Sequence, residues 1–270
     1  MELIDWNEVW KRRWEWVKRN DPHRGSEAFW NKYAETYYQR MKKQGREREE
    51  IAGWLCETFG LDESSTVLEI GPGPGTYTIP LAKRVAKVTV VESSSKMIEF
   101  LRRHMEEEDV ENVEVIHSRW ENVSGLKAHD VVFAAYSLSV PDLREALLKM
   151  NSLAVKGACI LTSAGNSGWS KVYARLFPLV YGKEYMPSHG HIVFYNLLYQ
   201  LGIYANVLIT RKEHTVEYGS VDEAVKDWAL RLNTENLEAV RKGLMDFLEV
   251  SENVILLRYE HRDARIWWYK

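Results

Sequence analysis

The stretch Thr66-Val67-Leu68-Glu69-Ile70-Gly71-Pro72-Gly73-Pro74-Gly75-Thr76-Tyr77 constrains this chain more than any other. β-Branched and aliphatic residues give way abruptly to alternating Gly and Pro, the pattern of a buried strand running into a glycine turn and then a helix. Such a turn at the carboxyl end of a parallel strand lets a ligand approach the backbone, because no Cβ stands in the way. A dinucleotide fingerprint needs G-x-G-x-x-G. Here Gly71 and Gly73 fit, but the third position is Thr76, and the glycines fall at every second position after an acid, Glu69.

The next strand, Lys87-Val88-Thr89-Val90-Val91-Glu92, is a continuous apolar run of the kind expected when both sheet faces are covered. It ends on Glu92, 17 positions after Gly75 (92 − 75). An α/β nucleotide-binding unit places there the carboxylate that accepts both hydrogen bonds of a ribose diol. Charge-assisted acceptance makes an acid better suited to that task than an amide.

The spacing Glu69-x-Gly71-x-Gly73-x-Gly75 resembles motif I of the class I S-adenosylmethionine-dependent methyltransferases. The resemblance implies an α/β, three-layer Rossmann-like fold whose seven-stranded, mostly parallel sheet has an antiparallel last strand. It also implies S-adenosyl-L-methionine as cofactor and S-adenosylhomocysteine as product. Gly71, Gly73, Gly75 and Thr76 would then hold the methionyl part, with Glu69 near its ammonium group. Ser93 would close the turn beside the ribose, and Met97 is either an adenine contact or a core methionine.

The segment Phe29-Trp30-Asn31-Lys32-Tyr33-Ala34-Glu35-Thr36-Tyr37 looks like the entry helix of many small-molecule members, where an aromatic hydroxyl reaches the cofactor's carboxylate or closes over the substrate. Tyr37 takes that role or simply packs. Many relatives follow the third strand with Asp; this chain follows Val113–His117 with Ser118, so the backbone of Arg119 and Trp120 is expected to contact the adenine, with Trp120 against the purine. The fourth strand ends at Ala135 and opens into Tyr136-Ser137-Leu138, at the rim between cofactor and acceptor. The Asn-Pro-Pro-Tyr or Asp-Pro-Pro-Tyr signature is absent, which lowers DNA adenine and protein glutamine as acceptors. In feel the chain is closest to the small-molecule methyltransferases of ubiquinone and menaquinone biosynthesis.

Residues 1–60 read as an N-terminal helical extension packed on the core, and residues 61–270 as the methyltransferase domain, with a lid at about 165–191 and a helical insertion at about 220–250. Six of the 11 tryptophans precede residue 60. Leu3, Trp6, Trp10, Trp14 and Val17 form a helical stripe, which suits a docked helix or, given the flanking basic residues, a membrane-surface or partner-binding one. The charge run from Lys42 to Glu50 reads as a solvated helix face. The long stretch 164–190 reads as an acceptor lid. It offers His189 and His191 as bases for a hydroxyl or thiol acceptor, with Tyr136 across from them. His189-x-His191 lacks a third ligand, so no metal is expected.

A formal net charge of −3 makes no electrostatic case for nucleic acid. The expected partner is a small-molecule acceptor, because the lid and the inserted helices would enclose a pocket, with RNA or protein supported only by the basic first helix. A nicotinamide-dependent oxidoreductase and an inactive cofactor-binding module are the readings from other classes. Cys56 and Cys159 read as reduced core residues, and no apolar run reaches the roughly 18 residues of a membrane helix. A cytoplasmic protein without a membrane span is the expectation; oligomeric state is not legible.

Overall fold

A computed structural model describes residues 4–42, 45–165, 168–188, 190–251 and 254–270. Contacts divide the chain into two compact units. One holds the glycine turn and comprises Gly25–Leu161, Leu197–Asn206 and Ile266–Lys270; the other comprises Met1–Arg24, Thr162–Asn196 and Val207–Arg265. The first helix falls in the unit with the late segments and the next two in the unit with the glycine turn.

In the turn-bearing unit, helices α2 (Glu27–Lys42) and α3 (Gly45–Phe59) precede strand β1 (Thr66–Ile70), the short helix α4 (Thr78–Ala82) and β2 (Lys87–Glu92). Helix α5 (Ser95–Glu107), β3 (Val113–His117), β4 (His129–Ala135), α6 (Leu143–Leu153) and β5 (Ala154–Ser163) follow. The strand order here is β3-β2-β1-β4-β5, continued by the end of β8 (Ile255–Tyr269). Strands β1 to β5 are parallel, with Glu69 of β1 level with Val90 of β2 and Phe133 of β4. Val67, Leu68, Val88, Val90, Val132 and Phe133 are buried, which explains why these strands read as unbroken apolar runs.

Local chemistry fixes the helix starts. The Ser94 side chain accepts from the Met97 N–H and that of Asp142 from the Glu145 N–H, capping α5 and α6. Helix α4 is short, and the chain from Lys83 to Ala86 turns.

The second unit is rich in aromatic residues. It contains α1 (Trp6–Asn20), α7 (Gly168–Tyr181), the start of α8 (His191–Gln200), most of β6 (Asn206–Tyr218), α9 (Val221–Arg231), α10 (Leu237–Leu244), β7 (Leu248–Val250) and β8 up to Arg265. β7 pairs antiparallel with β8, and β6 flanks β8. The expected seven strands are present, and β7 adds an eighth; the C-terminal strands run antiparallel as expected. The stretch expected as a lid is largely helix α7. Val172, Leu176, Trp228, Leu232, Leu244 and Leu257 form the core of this unit.

From the stripe of α1, Trp10 packs 5.5 Å from Phe194 between ring centroids, and Trp16, which lies outside that stripe, is 5.5 Å from Phe177. Cys56 and Cys159 form no disulfide among the described residues. No helix among the described residues is long and apolar enough to cross a membrane.

Candidate functional site

The turn after β1 takes its shape from three glycines with positive φ, at 64° (Gly71), 56° (Gly73) and 87° (Gly75). A Cβ on Gly71 would lie 2.4 Å from the Ser137 Cβ, so side chains other than hydrogen are excluded by contact as well as by conformation. At Gly73 the nearest atoms to such a Cβ would be the Met97 Sδ and Tyr37 Cε1, both at 3.9 Å. The turn is therefore closed on its Gly71 side and open at Gly73, between a thioether and a phenol ring.

Two acids sit beneath it. Glu92 is 7% exposed; its Oε2 accepts from the Gly73 N–H at 3.1 Å and its Oε1 from the Ser94 N–H at 2.8 Å. Burial pushes its pKa up, against the backbone donors of Ser94, Gly73 and Ser93. Each carboxylate oxygen keeps a second acceptor direction, so Glu92 both ties β2 to the turn and remains able to accept from a diol. Glu69 is 1% exposed and accepts from the Thr78 hydroxyl at 2.7 Å. Burial drives its carboxyl up to about 7; the Thr78 hydrogen bond opposes this and Glu92 adds to it. An acid so poised is one that a nearby cation would return to the ionised form.

The surrounding residues fall into place around this pair. The Thr76 hydroxyl is buried beside the Tyr37 phenol without a hydrogen bond of proper geometry. Burial raises the Tyr37 pKa, and the hydroxyl stays protonated. Met97 is 2% exposed and Ser93 is half-buried, with its carbonyl 3.0 Å from the His117 Nε2. Tyr136, directly after Ala135, has φ 55° and is 49% exposed, a non-glycine residue held in the left-handed region at the strand end.

Arg119 is exposed and lies 3.6 Å from Glu121. Trp120 is 5% exposed; its indole N–H donates to the Ala146 carbonyl at 3.4 Å, and the Lys149 ammonium sits 4.3 Å from its ring centre. The structure thus packs Trp120 against α6.

His191 belongs to the aromatic unit, at the first residue of α8. Burial lowers its pKa, and its Nδ1 is buried without a hydrogen-bond partner. It is a neutral imidazole at pH 7. His189 lies outside the described residues, and among the described residues no cluster of His, Cys, Asp or Glu could hold a metal ion.

Three participants escaped the sequence reading. Arg48, within the run read as a solvated face, is turned inward: burial lowers its pKa, while Tyr37 and Tyr77 act to raise it, and Nη2 donates to the Met41 carbonyl at 2.6 Å. His104 on α5 is 6% exposed and its Nδ1 is 3.0 Å from the Pro74 carbonyl. A carbonyl only accepts, so this nitrogen carries the proton and anchors the turn. Asn31 of α2 accepts from the Ser94 hydroxyl at 2.7 Å and from the Lys96 N–H at 3.2 Å, joining the entry helix to the start of α5.

Residues 67–157 match the family model described as a methyltransferase domain. Over 218 residues the chain is 27% identical to an uncharacterised protein of Haemophilus influenzae, covering 79% of this chain and 80% of that one. It is 30% identical over 154 residues to the demethylmenaquinone methyltransferase of Listeria welshimeri, covering 50% of this chain and 64% of the other. A ribosomal RNA small subunit methyltransferase A of Desulforapulum autotrophicum is 39% identical over 67 residues, and there the chain spans only about a quarter of its relative (25% and 24% of the two chains). A solved structure from Bacillus halodurans, described provisionally as a methyltransferase, shares the fold with a TM-score of 0.56 at 14% identity, covering 81% of this chain and 98% of that one. The alternating-glycine turn, the paired acids and this fold agree with a methyltransferase domain of the class I S-adenosylmethionine-dependent kind around residues 67–157.

Proposed function

We propose that this methyltransferase acts on a small molecule and that the turn-bearing unit holds its cofactor through the residues described above. The observation that carries the cofactor assignment is the open position at Gly73 above two buried acids. Glu69 would meet the ammonium group, Glu92 the ribose diol, and Met97 with the turn after β3 the adenine. Arg48 and the Tyr37 hydroxyl suit the carboxylate. When bound, S-adenosylmethionine supplies a methyl group on a sulfonium, already electrophilic. The protein's share is then to position the acceptor and exclude water. Where the acceptor is a hydroxyl or thiol, the neutral His191 imidazole is the side chain suited to take its proton.

A small acceptor is supported by the aromatic interior of the second unit, by the net charge of −3 and by the likeness to a demethylmenaquinone methyltransferase. The short stretch shared with a ribosomal RNA methyltransferase favours RNA as the second reading. Radiolabelled methyl transfer to a metabolite extract, run beside total RNA and a protein extract, separates the two. Label in the small-molecule fraction supports the proposal; label confined to RNA or protein overturns it.

A further inference from the structure

The aromatic unit buries charge that its own fold does not balance. Arg24 lies in the turn after α1. Its guanidinium lies 4.5 Å from the ring centre of Tyr173 and 5.4 Å from that of Tyr185, and its Nη1 donates to the Tyr185 hydroxyl at 3.0 Å. Arg13 of α1 donates from Nε to the Pro187 carbonyl at 3.0 Å and lies within electrostatic reach of Tyr185. Phe177 extends the wall, 5.7 Å from Tyr185 and 5.5 Å from Trp16 between ring centroids.

Burial works against both guanidiniums. It is the main reason that Arg13 is held below its ordinary value, and repulsion from Arg24 is the next. At Arg24 burial also acts downward, but Tyr185, Tyr173 and Asp21 outweigh it. Asp21 is 3% exposed and within electrostatic reach of both, yet among the described residues it makes an ion pair with neither. A guanidinium has five N–H donors. Arg24 uses one of them on a described side chain. Two guanidiniums and one carboxylate leave one net positive charge, in surroundings where an unpaired charge is costly.

We propose that Arg13 and Arg24, walled by Tyr173, Tyr185 and Phe177, bind the carboxylate of a planar, monoanionic small molecule. Calling that molecule the methyl acceptor rests on the function proposed above; the site itself does not. The single surplus charge matches a carboxylate rather than a phosphate dianion. The planar guanidinium fork takes two carboxylate oxygens side by side. Aromatic walls favour a flat ring, offset or edge-on, at about 4.5 to 7 Å.

Calorimetry on the full chain with benzoate, benzamide, inorganic phosphate and S-adenosylhomocysteine tests this. Benzoate is expected to bind saturably, with benzamide and phosphate at least about tenfold weaker, the usual worth of a charge-assisted pair. Arg24→Met and Arg13→Met should each weaken benzoate by about tenfold or more, Arg24→Lys less, and all should bind S-adenosylhomocysteine as the parent does. Equal binding of benzoate and benzamide, or no benzoate binding by a protein that binds S-adenosylhomocysteine, overturns the proposal. So does an Arg24→Met variant with full benzoate affinity. Should Arg24→Met fail to fold, the benzoate and benzamide pair on the parent protein and the Arg13→Met variant still decide. Loss of S-adenosylhomocysteine binding by the parent would overturn the cofactor reading alone, while the benzoate results still judge the site.

Discussion

The two units bury charge of opposite sign. In the turn-bearing unit Glu69 and Glu92 lie below the surface, held by a hydroxyl and by backbone N–H groups. In the aromatic unit the half-buried Arg24 lies against the rings of Tyr173 and Tyr185, with Arg13 within electrostatic reach and Asp21 out of ion-pair contact. Neither arrangement serves folding well, because an unmatched buried charge costs more than an apolar side chain of the same size. The difference teaches what each unit is built to receive: a cationic ligand over the acids, an anionic one over the guanidiniums.

The sharpest way to break the first half of that contrast is to close the turn. Gly71→Ala adds a left-handed penalty and a 2.4 Å contact with Ser137. It should cost about 2 to 5 kcal/mol in urea unfolding and abolish cofactor binding; a variant of parental stability would show that the turn is looser than described.

Next comes the charge itself. The native Glu69 carboxyl, at about 7, holds its proton more tightly than the unfolded chain does. Its contribution to stability is therefore complete below the unfolded value of about 4.3 and is lost as pH rises through 7, in total on the order of 3 kcal/mol. Glu69→Gln should remove that slope. Parallel stability profiles for parent and variant would mean that Glu69 is already ionised.

Glu92→Ala should weaken S-adenosylhomocysteine by roughly 1.5 to 3 kcal/mol, the usual worth of hydrogen bonds to a charged group. Unchanged affinity in titration calorimetry would remove it from the diol site. The smallest effect is expected from Tyr37→Phe, about 1 kcal/mol of cofactor affinity for one neutral hydroxyl; a loss of much more would give the hydroxyl a larger role than the one assigned.

The same contrast runs through what the sequence made legible. β1 and β2 were readable because strands buried on both faces leave largely apolar runs, β3 because Val113, Val115 and Ile116 stand between polar neighbours, and the alternating glycines mark a turn that no other residue fits. β6 runs through Arg211, Lys212, Glu213 and His214 to Tyr218. Four consecutive polar residues on both faces of a half-exposed strand hide its alternation. Helix α7 was hidden for another reason, since its Pro178 and the glycines around it suggest a loop.

Arg48, His104 and Asn31 escaped because each sits among charged or polar neighbours on a helix, and only packing reveals which side chain turns inward. Trp120 illustrates the converse. The structure gives its indole a partner on α6, a pairing that depends on a residue 26 positions away.

The account stands most directly on one titration. At pH 6.5, S-adenosylhomocysteine added to the full chain should bind, and calorimetry in two buffers of different ionisation enthalpy should show roughly three-quarters of a proton released as Glu69, at about 7 in the free protein, ionises beneath the ammonium group. Glu69→Gln should release none, and NAD should not bind. Binding of NAD in place of S-adenosylhomocysteine, or S-adenosylhomocysteine binding with no proton released, would contradict the account.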